Sequence, residues 1–295
     1  LGDLLQTVLL RVRPYEEVPG SADELYRRWD AICSEFFTHD KYSPTLKRRI
    51  GYHKLITSIV QEFDQLALMD IPRKPRIGLV GEILVKFHPD ANNNAVGVIE
   101  AEGCEAVLPG LVEFFGQALY TGEWRWQNLG IGKKSRLSLR LMLWLIEQYQ
   151  EPVNRALAQS NGKFLPQSSL DHMAKRAEQV ISLGTQAGEG WLLTAEMMEL
   201  IETGTPNIIC AQPFACLPNH VVGKGMFSQL RRLYPDANIA SIDYDPGASE
   251  VNQLNRIKLV VSTAFKNAAR PSEAPANAEP SLAADPVLLQ VRPLG

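Results

Sequence analysis

The chain has 295 residues, of which 45% are hydrophobic and 21% are charged, and its formal net charge at pH 7 is −3. This composition is typical of a globular protein with a full-sized core, and it excludes a chain that is disordered or fibrous as a whole. Lysine and arginine are scattered rather than gathered into a stripe, and the apolar runs are short, so we expect neither nucleic acid nor a membrane as a partner.

The cysteines and the start of the chain indicate where the protein acts. Four cysteines without regular spacing do not form a secreted disulfide framework, and they favour the reducing cytoplasm. The chain begins at Leu1 without an initiating Met. We therefore expect a cytoplasmic protein that is a piece of a longer polypeptide, with removal of the start by processing as the alternative.

Residues 1–72 are predicted to form a helical region that packs on the rest of the protein. Apolar residues recur at helical spacing near 4–9, over 22–37 and over 43–69, the pattern of amphipathic helices. Cys33 lies between apolar neighbours on the second helix, so we predict a buried, inert thiol there.

The pattern changes after two prolines near residue 73. Residues 76–87 form a nearly continuous apolar run rich in Ile and Val, as in a strand buried on both faces of a parallel sheet. Gly81 and Glu82 interrupt this run. We therefore expect the strand to end near Val80, with a loop that directs Glu82 and Lys86 into a crevice.

A helix over 94–102 and a second strand over 105–111 complete a predicted βαβ unit. Cys104 lies between them and is predicted to be a core residue. His88 precedes a proline, and we interpret it as a packed or hydrogen-bonded loop residue rather than a base.

Helical patterns return over residues 112–204, which we interpret as a helical insertion. The longest segment, 136–158, carries an apolar stripe. Residues 124–134 interleave aromatics with lysines, a pattern that favours a solvated loop over a nucleotide or acyl-carrier surface. The glycines at 188 and 190 open a helix over 192–202, whose backbone amides are a weak candidate for anion binding. The stripe on 136–158 comprises Leu137, Leu141, Trp144, Leu145 and Tyr149.

The α/β pattern resumes with a short apolar strand over 207–210 that runs into a loop. This loop carries Cys210 and Cys216 and is followed by a helix that starts near His220. Loops at strand ends hold the functional groups of α/β proteins. Cys216, together with Cys210, is therefore our candidate metal site.

A strand over 237–242 and a helix over 250–266 close the predicted α/β domain. Residues 73–268 thus form a Rossmann-like parallel-sheet domain with the helical insertion at 112–204. Residues 269–295 are rich in Pro and Ala and bury too little apolar area to offset the entropy of ordering, so we predict a disordered tail.

Three blocks of sequence, 12–29, 77–103 and 187–259, resemble in order and spacing the C-terminal part of a known family. This is the family of large CoA-substrate-specific enzyme activases and 2-hydroxyacyl-CoA dehydratase-like proteins, which are related to benzoyl-CoA reductases. The resemblance covers most of residues 1–265. It implies Rossmann-like domains that hold a [4Fe–4S] cluster at strand ends, with cysteines drawn from separate domains. It also implies an ATP-dependent activator that passes single electrons to the cluster, which reduces the thioester carbonyl of an acyl-CoA.

The resemblance assigns roles to individual residues. Cys216 best matches the C-terminal cluster ligand, and Cys210 is close enough in sequence to be a ligand or a neighbouring thiol. Two thiolates are too few for a four-cysteine cluster, so an upstream cysteine-bearing α/β domain would supply the others. Glu82 is a candidate proton-transfer group or substrate contact, with the cap of a turn as the alternative. His220 is a candidate ligand or sulfide hydrogen-bond donor, with a helix-starting role as the alternative.

Two classes of function follow. The first is an iron–sulfur redox component that forms part of an enzyme, a lyase or oxidoreductase, acting on acyl-CoA. The alternative is a non-catalytic α/β binding or assembly module that docks the activator and whose cysteines are vestigial. A Cys–His hydrolase using Cys216 and His220 is the weakest hypothesis, because both residues share one loop and no third orienting group is evident. No Walker A motif is present, so an ATPase step would belong to another domain or protein.

Overall fold

The computed structural model describes residues 1–38, 51–245 and 247–269. The first part of the predicted third helix, 43–50, and all but the first residue of the predicted disordered tail lie outside these ranges. Within the described ranges, no helix is long and apolar enough to cross a membrane.

Within the described residues, four parallel strands form the central sheet. They are β1 (Arg76–Gly81), β2 (Glu105–Val107), β3 (Asn207–Pro213) and β4 (Asn238–Tyr244), in the order β2, β1, β3, β4. The two central strands, β1 and β3, are buried over almost their whole length, as expected when helices cover both faces of a sheet. The predicted α/β class with a Rossmann-like parallel sheet is therefore confirmed.

The helices alternate with the strands except where the insertion interrupts. In chain order they are α1 (Gly2–Val12), α2 (Ser21–Thr38), α3 (Tyr52–Asp64), α4 (Ile83–Phe87), α5 (Ala95–Ala101), α6 (Val112–Leu129), α7 (Lys133–Ala158), α8 (Leu170–Ala177), α9 (Gly190–Glu202), α10 (Phe227–Leu233) and α11 (Glu250–Ala268).

Alternate residues of the central strands pack against opposite helical layers. On one face Leu79 and Ile209 lie in a core formed with α5 and α11. On the other face Val80 and Cys210 lie in a core formed with α9 and α10. Because successive side chains of a strand point to opposite faces, a continuous apolar run is what a doubly covered strand requires.

The N-terminal helices α1, α2 and α3 share one apolar core with the C-terminal end of α7, through Leu157. Polar contacts tie this unit to the α/β domain. The Tyr15 hydroxyl donates to Glu105 on β2 at 2.7 Å. Asp3 of α1 accepts hydrogen bonds from the backbone amides of Leu111 and Val112 at 2.9 Å, which caps the start of α6.

The prediction of a loop over residues 124–134 is wrong for most of that range. Helix α6 continues to Leu129 and ends at Gly130, whose φ of 68° lies in the left-handed region, the usual conformation of a helix-ending glycine. The apolar stripe of α7 forms, but it lies on the surface, where Leu137 is 80% exposed and Trp144 is 52% exposed.

The helix predicted to start near His220 is present, but its first part is not a regular α-helix. Asn219–Gly223 forms a π-helical turn and Lys224–Met226 a 3-10 turn before α10 begins. A Cβ on Gly223 would lie 3.0 Å from the Sγ of Cys210. The glycine therefore allows this turn to pack closely against β3.

Candidate functional site

The order of the strands creates a topological switch point between β1 and β3. The chain leaves β1 towards β2 on one side and later enters β3 on the other side. In open parallel sheets, ligands bind in the crevice outside the carboxyl ends of the strands at such a point. Glu82 follows β1, Cys216 follows β3, and Asp243 lies at the end of β4, so the structure brings the ends of three strands to this edge.

The backbone at the switch point is tightly fitted. Gly81, the last residue of β1, has a φ of +135°, and a Cβ there would lie 1.8 Å from the carbonyl oxygen of Ala211 on β3. The amide of Glu82 then donates to the same carbonyl oxygen at 3.0 Å. Only glycine fits this approach, so the interruption seen in the apolar run marks the last position at which β1 pairs with β3.

Cys216 lies in a short, hydrogen-bonded loop after β3. Its amide donates to the carbonyl of Pro213 at 3.2 Å, and its carbonyl accepts from the amide of His220 at 3.0 Å. Its Sγ accepts from Nδ2 of Asn219 at 3.3 Å. The thiol is partly exposed. Backbone and side chain therefore hold Cys216 at the carboxyl edge of the sheet, where a ligand or partner can reach it.

Asn219 links this loop to two other elements. Its Nδ2 donates to Oε2 of Glu189 at 2.7 Å, and Oε1 of Glu189 accepts from the amide of Ile83 at 3.2 Å. Asn219 is fully buried, and its Oδ1 has no hydrogen-bond partner. Glu189 immediately precedes α9, so a carboxylate already supplies negative charge at this helix start. This arrangement does not favour the predicted binding of an anion by the backbone amides at the start of α9.

His220 is engaged away from the thiol. Its Nδ1 lies 2.8 Å from the carbonyl oxygen of Cys216, and its Nε2 lies 3.4 Å from Nε2 of Gln212. Nε2 of Gln212 also donates to Asp243 at 2.8 Å, whereas its Oε1 is buried without a partner. Both imidazole nitrogens thus face groups other than Sγ, an arrangement that does not favour the Cys–His nucleophile hypothesis.

Glu82 acts as a helix cap. Its side chain accepts from the amide of Val85 at 2.9 Å at the start of α4, which is the alternative that the sequence left open. The neighbouring Lys86 turns inward, where its Nζ lies 3.0 Å from Glu196 on α9 and both side chains are 4% exposed. His88 is exposed at the end of α4.

Three of the four cysteines lie in apolar cores. Cys33 and Cys104 are buried, as predicted. Cys210 is fully buried on the face of β3 that packs against α9 and α10, and burial is the largest cause that raises the pKa of its thiol. Cys210 and Cys216 are close in sequence but differ in environment, because one belongs to the strand and the other to the exposed loop.

A [4Fe–4S] cluster is held by four ligands, normally cysteine thiolates. In the described part of the chain, no group of three or more His, Cys, Asp or Glu side chains is arranged to hold a metal ion. Cys216 fits one ligand position, since its thiol is accessible, receives a hydrogen bond from an amide and lies beside a buried, unpartnered carbonyl of Asn219. The described residues thus offer one accessible thiol at the edge of the sheet and no complete set of metal ligands.

Several residues of the site were not predicted from the sequence. Three of them surround the Cys216 loop although they are up to 30 positions apart in the chain: Glu189, Gln212 and Asn219. The polar residues directly after an apolar strand were a signal for Gln212, but no local pattern indicates that Glu189 meets Asn219.

Comparison of the chain with protein-family models, with curated proteins and with solved structures gives no match.

Proposed function

We propose that this chain is an iron–sulfur redox component of a 2-hydroxyacyl-CoA dehydratase-like or benzoyl-CoA reductase-like system, with Cys216 as its ligand to a [4Fe–4S] cluster. The observation that carries the proposal is the position of Cys216. It is a partly exposed thiol, held by hydrogen bonds, at the carboxyl edge of a parallel sheet and beside the switch point. Such an edge is where this class of fold binds its cofactors.

The surface around Cys216 supports a site completed by another domain. Phe214 is 71% exposed, Leu217 is 73% exposed and Val221 is 50% exposed. Large apolar side chains grouped on a surface are typical of an interaction site. We propose that a cysteine-bearing α/β domain covers this loop, supplies the remaining thiolates and excludes water from the cluster.

The chain's own residues would adjust the reduction potential of the cluster through the Cys216 thiolate and would contact the substrate in the crevice. When bound, the cluster supplies single electrons, received from an ATP-dependent activator, to the thioester carbonyl of an acyl-CoA. Asn219 donates a hydrogen bond to Sγ of Cys216, and hydrogen bonds to cluster sulfurs adjust the reduction potential. Glu82 and His220 remain candidates for substrate contact or proton transfer. Cys210 remains a second candidate ligand, which requires the turn that contains Gly223 to move off its thiol.

The test compares cysteine variants of the protein purified anaerobically with the partners that it retains. We expect iron, sulfide and the visible absorbance of a cluster in the parent protein, and a loss of most of this iron in Cys216→Ser. Cys33→Ser is the matched control, because Cys33 is a free cysteine in the N-terminal core, and we expect its iron content to equal that of the parent. Equal iron in Cys216→Ser and the parent, or no iron in either, would contradict the proposal.

The exposed apolar side chains also favour a second candidate, a non-catalytic module that docks the activator. In that case Leu217→Asp releases the partner in a co-purification assay, whereas Cys216→Ser changes neither partner binding nor activity. A loss of activity in Cys216→Ser with partner binding intact distinguishes the redox function from the docking function.

A further inference from the structure

A cavity of about 160 Å³ lies away from the switch point, along the edge strand β2. It is lined by residues of α1, β2, α9 and the segment 163–168, and its lining is mainly apolar. Its size is comparable to the roughly 150 Å³ cavities that bind benzene. Residues that line it include Arg76, Val107, Glu113, Phe164, Met173 and Leu200.

One end of this cavity carries more positive than negative charge. Arg73 forms two hydrogen bonds to Glu105, and Arg11 lies 3.5 Å from the same carboxylate. Arg76 also lines the cavity, but no carboxylate of the described residues lies within 4.0 Å of it, and it donates instead to the carbonyl of Thr203 at 3.0 Å. Burial lowers the pKa of Arg76, and the nearby charge of Arg73 lowers it further. Arg11 and Arg73 thus share the carboxylate of Glu105, while Arg76 keeps a positive charge without an ion-pair partner among the described residues, which favours a bound anion.

Glu113 provides a buried polar group elsewhere in the same cavity. It is 7% exposed, Oε1 accepts from Gln150 at 3.2 Å, and Oε2 has no hydrogen-bond partner. A buried oxygen without a partner is costly. An unpartnered carboxyl group that lines an apolar cavity is therefore placed to bond to an oxygen of a ligand.

We propose that this cavity binds a small, mainly apolar carboxylate, with its charged end at Arg76, its chain in the apolar space and any further polar group of the chain at Glu113. The acidic residues Glu113, Glu196 and Glu199 also line the cavity, so a ligand with one negative charge is favoured over a phosphate with two. Arg76 gives the carboxylate a charge-assisted hydrogen bond, which a neutral alcohol of the same length lacks.

The test uses hexanoate as the probe and the whole chain with its methionine methyl groups labelled with ¹³C. We expect hexanoate to shift the methyl resonance of Met173, which lines the cavity, and to leave that of Met142 on α7 unchanged. Arg76→Gln should weaken binding by at least about tenfold, as expected when one charge-assisted hydrogen bond is lost. Hexan-1-ol should bind more weakly than hexanoate to the parent.

Arg231→Gln is the matched control, because Arg231 also donates to a backbone carbonyl, that of Ile239, but lies outside the cavity. It should bind hexanoate like the parent. An unchanged Met173 resonance, or equal affinities of the parent and Arg76→Gln for hexanoate, would overturn the proposal. Equal binding of hexanoate and hexan-1-ol would overturn its assignment of a carboxylate.

Helix α7 presents an apolar face to solvent. Six large apolar side chains on this helix are between 41% and 80% exposed. With roughly 200 Å² of surface on each, about half of it exposed, they present about 600 Å². This is about three quarters of the roughly 800 Å² that a standard interface buries on each partner. The six are Leu137, Leu141, Met142, Trp144, Leu145 and Tyr149.

This face complements itself when two copies are placed antiparallel. We place the two-fold axis that relates the two copies near Leu143. Leu141 of one copy then lies beside Trp144 or Leu145 of the second copy. The same arrangement sets the exposed Arg140 next to the exposed Glu147 of the second copy, on both sides of the axis. Opposite charges that flank an apolar seam specify antiparallel pairing of helices.

We infer that this chain forms a homodimer through an antiparallel pair of α7 helices. By sedimentation equilibrium, the parent chain should be a dimer and Leu141→Asp a monomer. Leu259→Asp is the matched control, since Leu259 is a 68% exposed leucine on α11, and it should remain dimeric. Arg140→Glu should weaken the dimer by at least about fivefold, and adding Glu147→Arg should restore it, because the reversed charges again pair across the axis.

A monomeric parent chain at high micromolar concentration would overturn this second inference. So would a double variant that dimerises no better than Arg140→Glu alone. Equal disruption by Leu141→Asp and Leu259→Asp would show that the change acts through a general loss of solubility rather than through α7.

Discussion

Replacement of Lys86 by Met is expected to lower the free energy of unfolding by about 3–5 kcal/mol, because it leaves the carboxylate of Glu196 buried without its partner. The pair is 3.0 Å apart and both side chains are 4% exposed. Burial already raises the pKa of Glu196, and Lys86 opposes that rise. Urea unfolding at neutral pH, monitored by circular dichroism, measures the change.

Lys175→Met is the matched control for this prediction. Lys175 forms an ion pair with Asp171 at 3.3 Å, but the two side chains are 74% and 58% exposed. Its removal should cost less than about 1 kcal/mol, because water solvates both charges. Lys86→Met combined with Glu196→Leu should recover most of the lost stability, since the buried carboxylate is removed as well. A cost for Lys86→Met that equals the cost for Lys175→Met would contradict the prediction.

Glu113→Gln is expected to change how stability depends on pH. Burial is the largest cause that raises the pKa of Glu113 to about 7, from an ordinary value of 4.5, and the neighbouring Asp3 and Glu196 contribute to the rise. The folded state therefore keeps this proton up to about pH 7, while the unfolded state loses it near pH 4.5. The unfolding free energy of the parent falls as pH rises through this window, by about 3 kcal/mol from this group.

Glutamine has no proton to lose, so the variant should lack this decrease. Relative to the parent, Glu113→Gln should gain about 3 kcal/mol as the pH rises from 4.5 to 8. Urea unfolding at several pH values tests the slope. Glu35→Gln on the exposed surface of α2 is the control and should follow the parent. Parallel curves for the parent and Glu113→Gln would refute the assignment.

The position of Cys216 could be predicted from the sequence because it depends on local signals. An apolar strand followed by prolines and a polar loop predicts a strand end, and parallel topology places such an end at the functional edge of the sheet. The environment of Cys210 could not be predicted from the sequence. β3 runs on to Pro213 rather than ending at Cys210, so this cysteine alternates into the core.

The roles of Lys86 and Glu189 depend on residues far away in the chain. Lys86 and Glu196 are 110 positions apart, and Asn219 and Glu189 are 30 apart. No periodicity links such pairs, because their contact exists only after α9 packs across the sheet. The sequence predicted a loop that points Lys86 into a crevice, but Lys86 lies on the helix α4 with its side chain buried against Glu196.

The sequence by itself determined the layered α/β architecture. The buried run of β1, the helix that Gly103 ends and the amphipathic helices follow from local burial pattern and backbone preference. Only the tertiary structure decided which apolar faces meet. The stripe of α7 is as clear in sequence as those of the buried helices, yet it lies on the surface, because a periodic pattern specifies an apolar face and not the element that covers it.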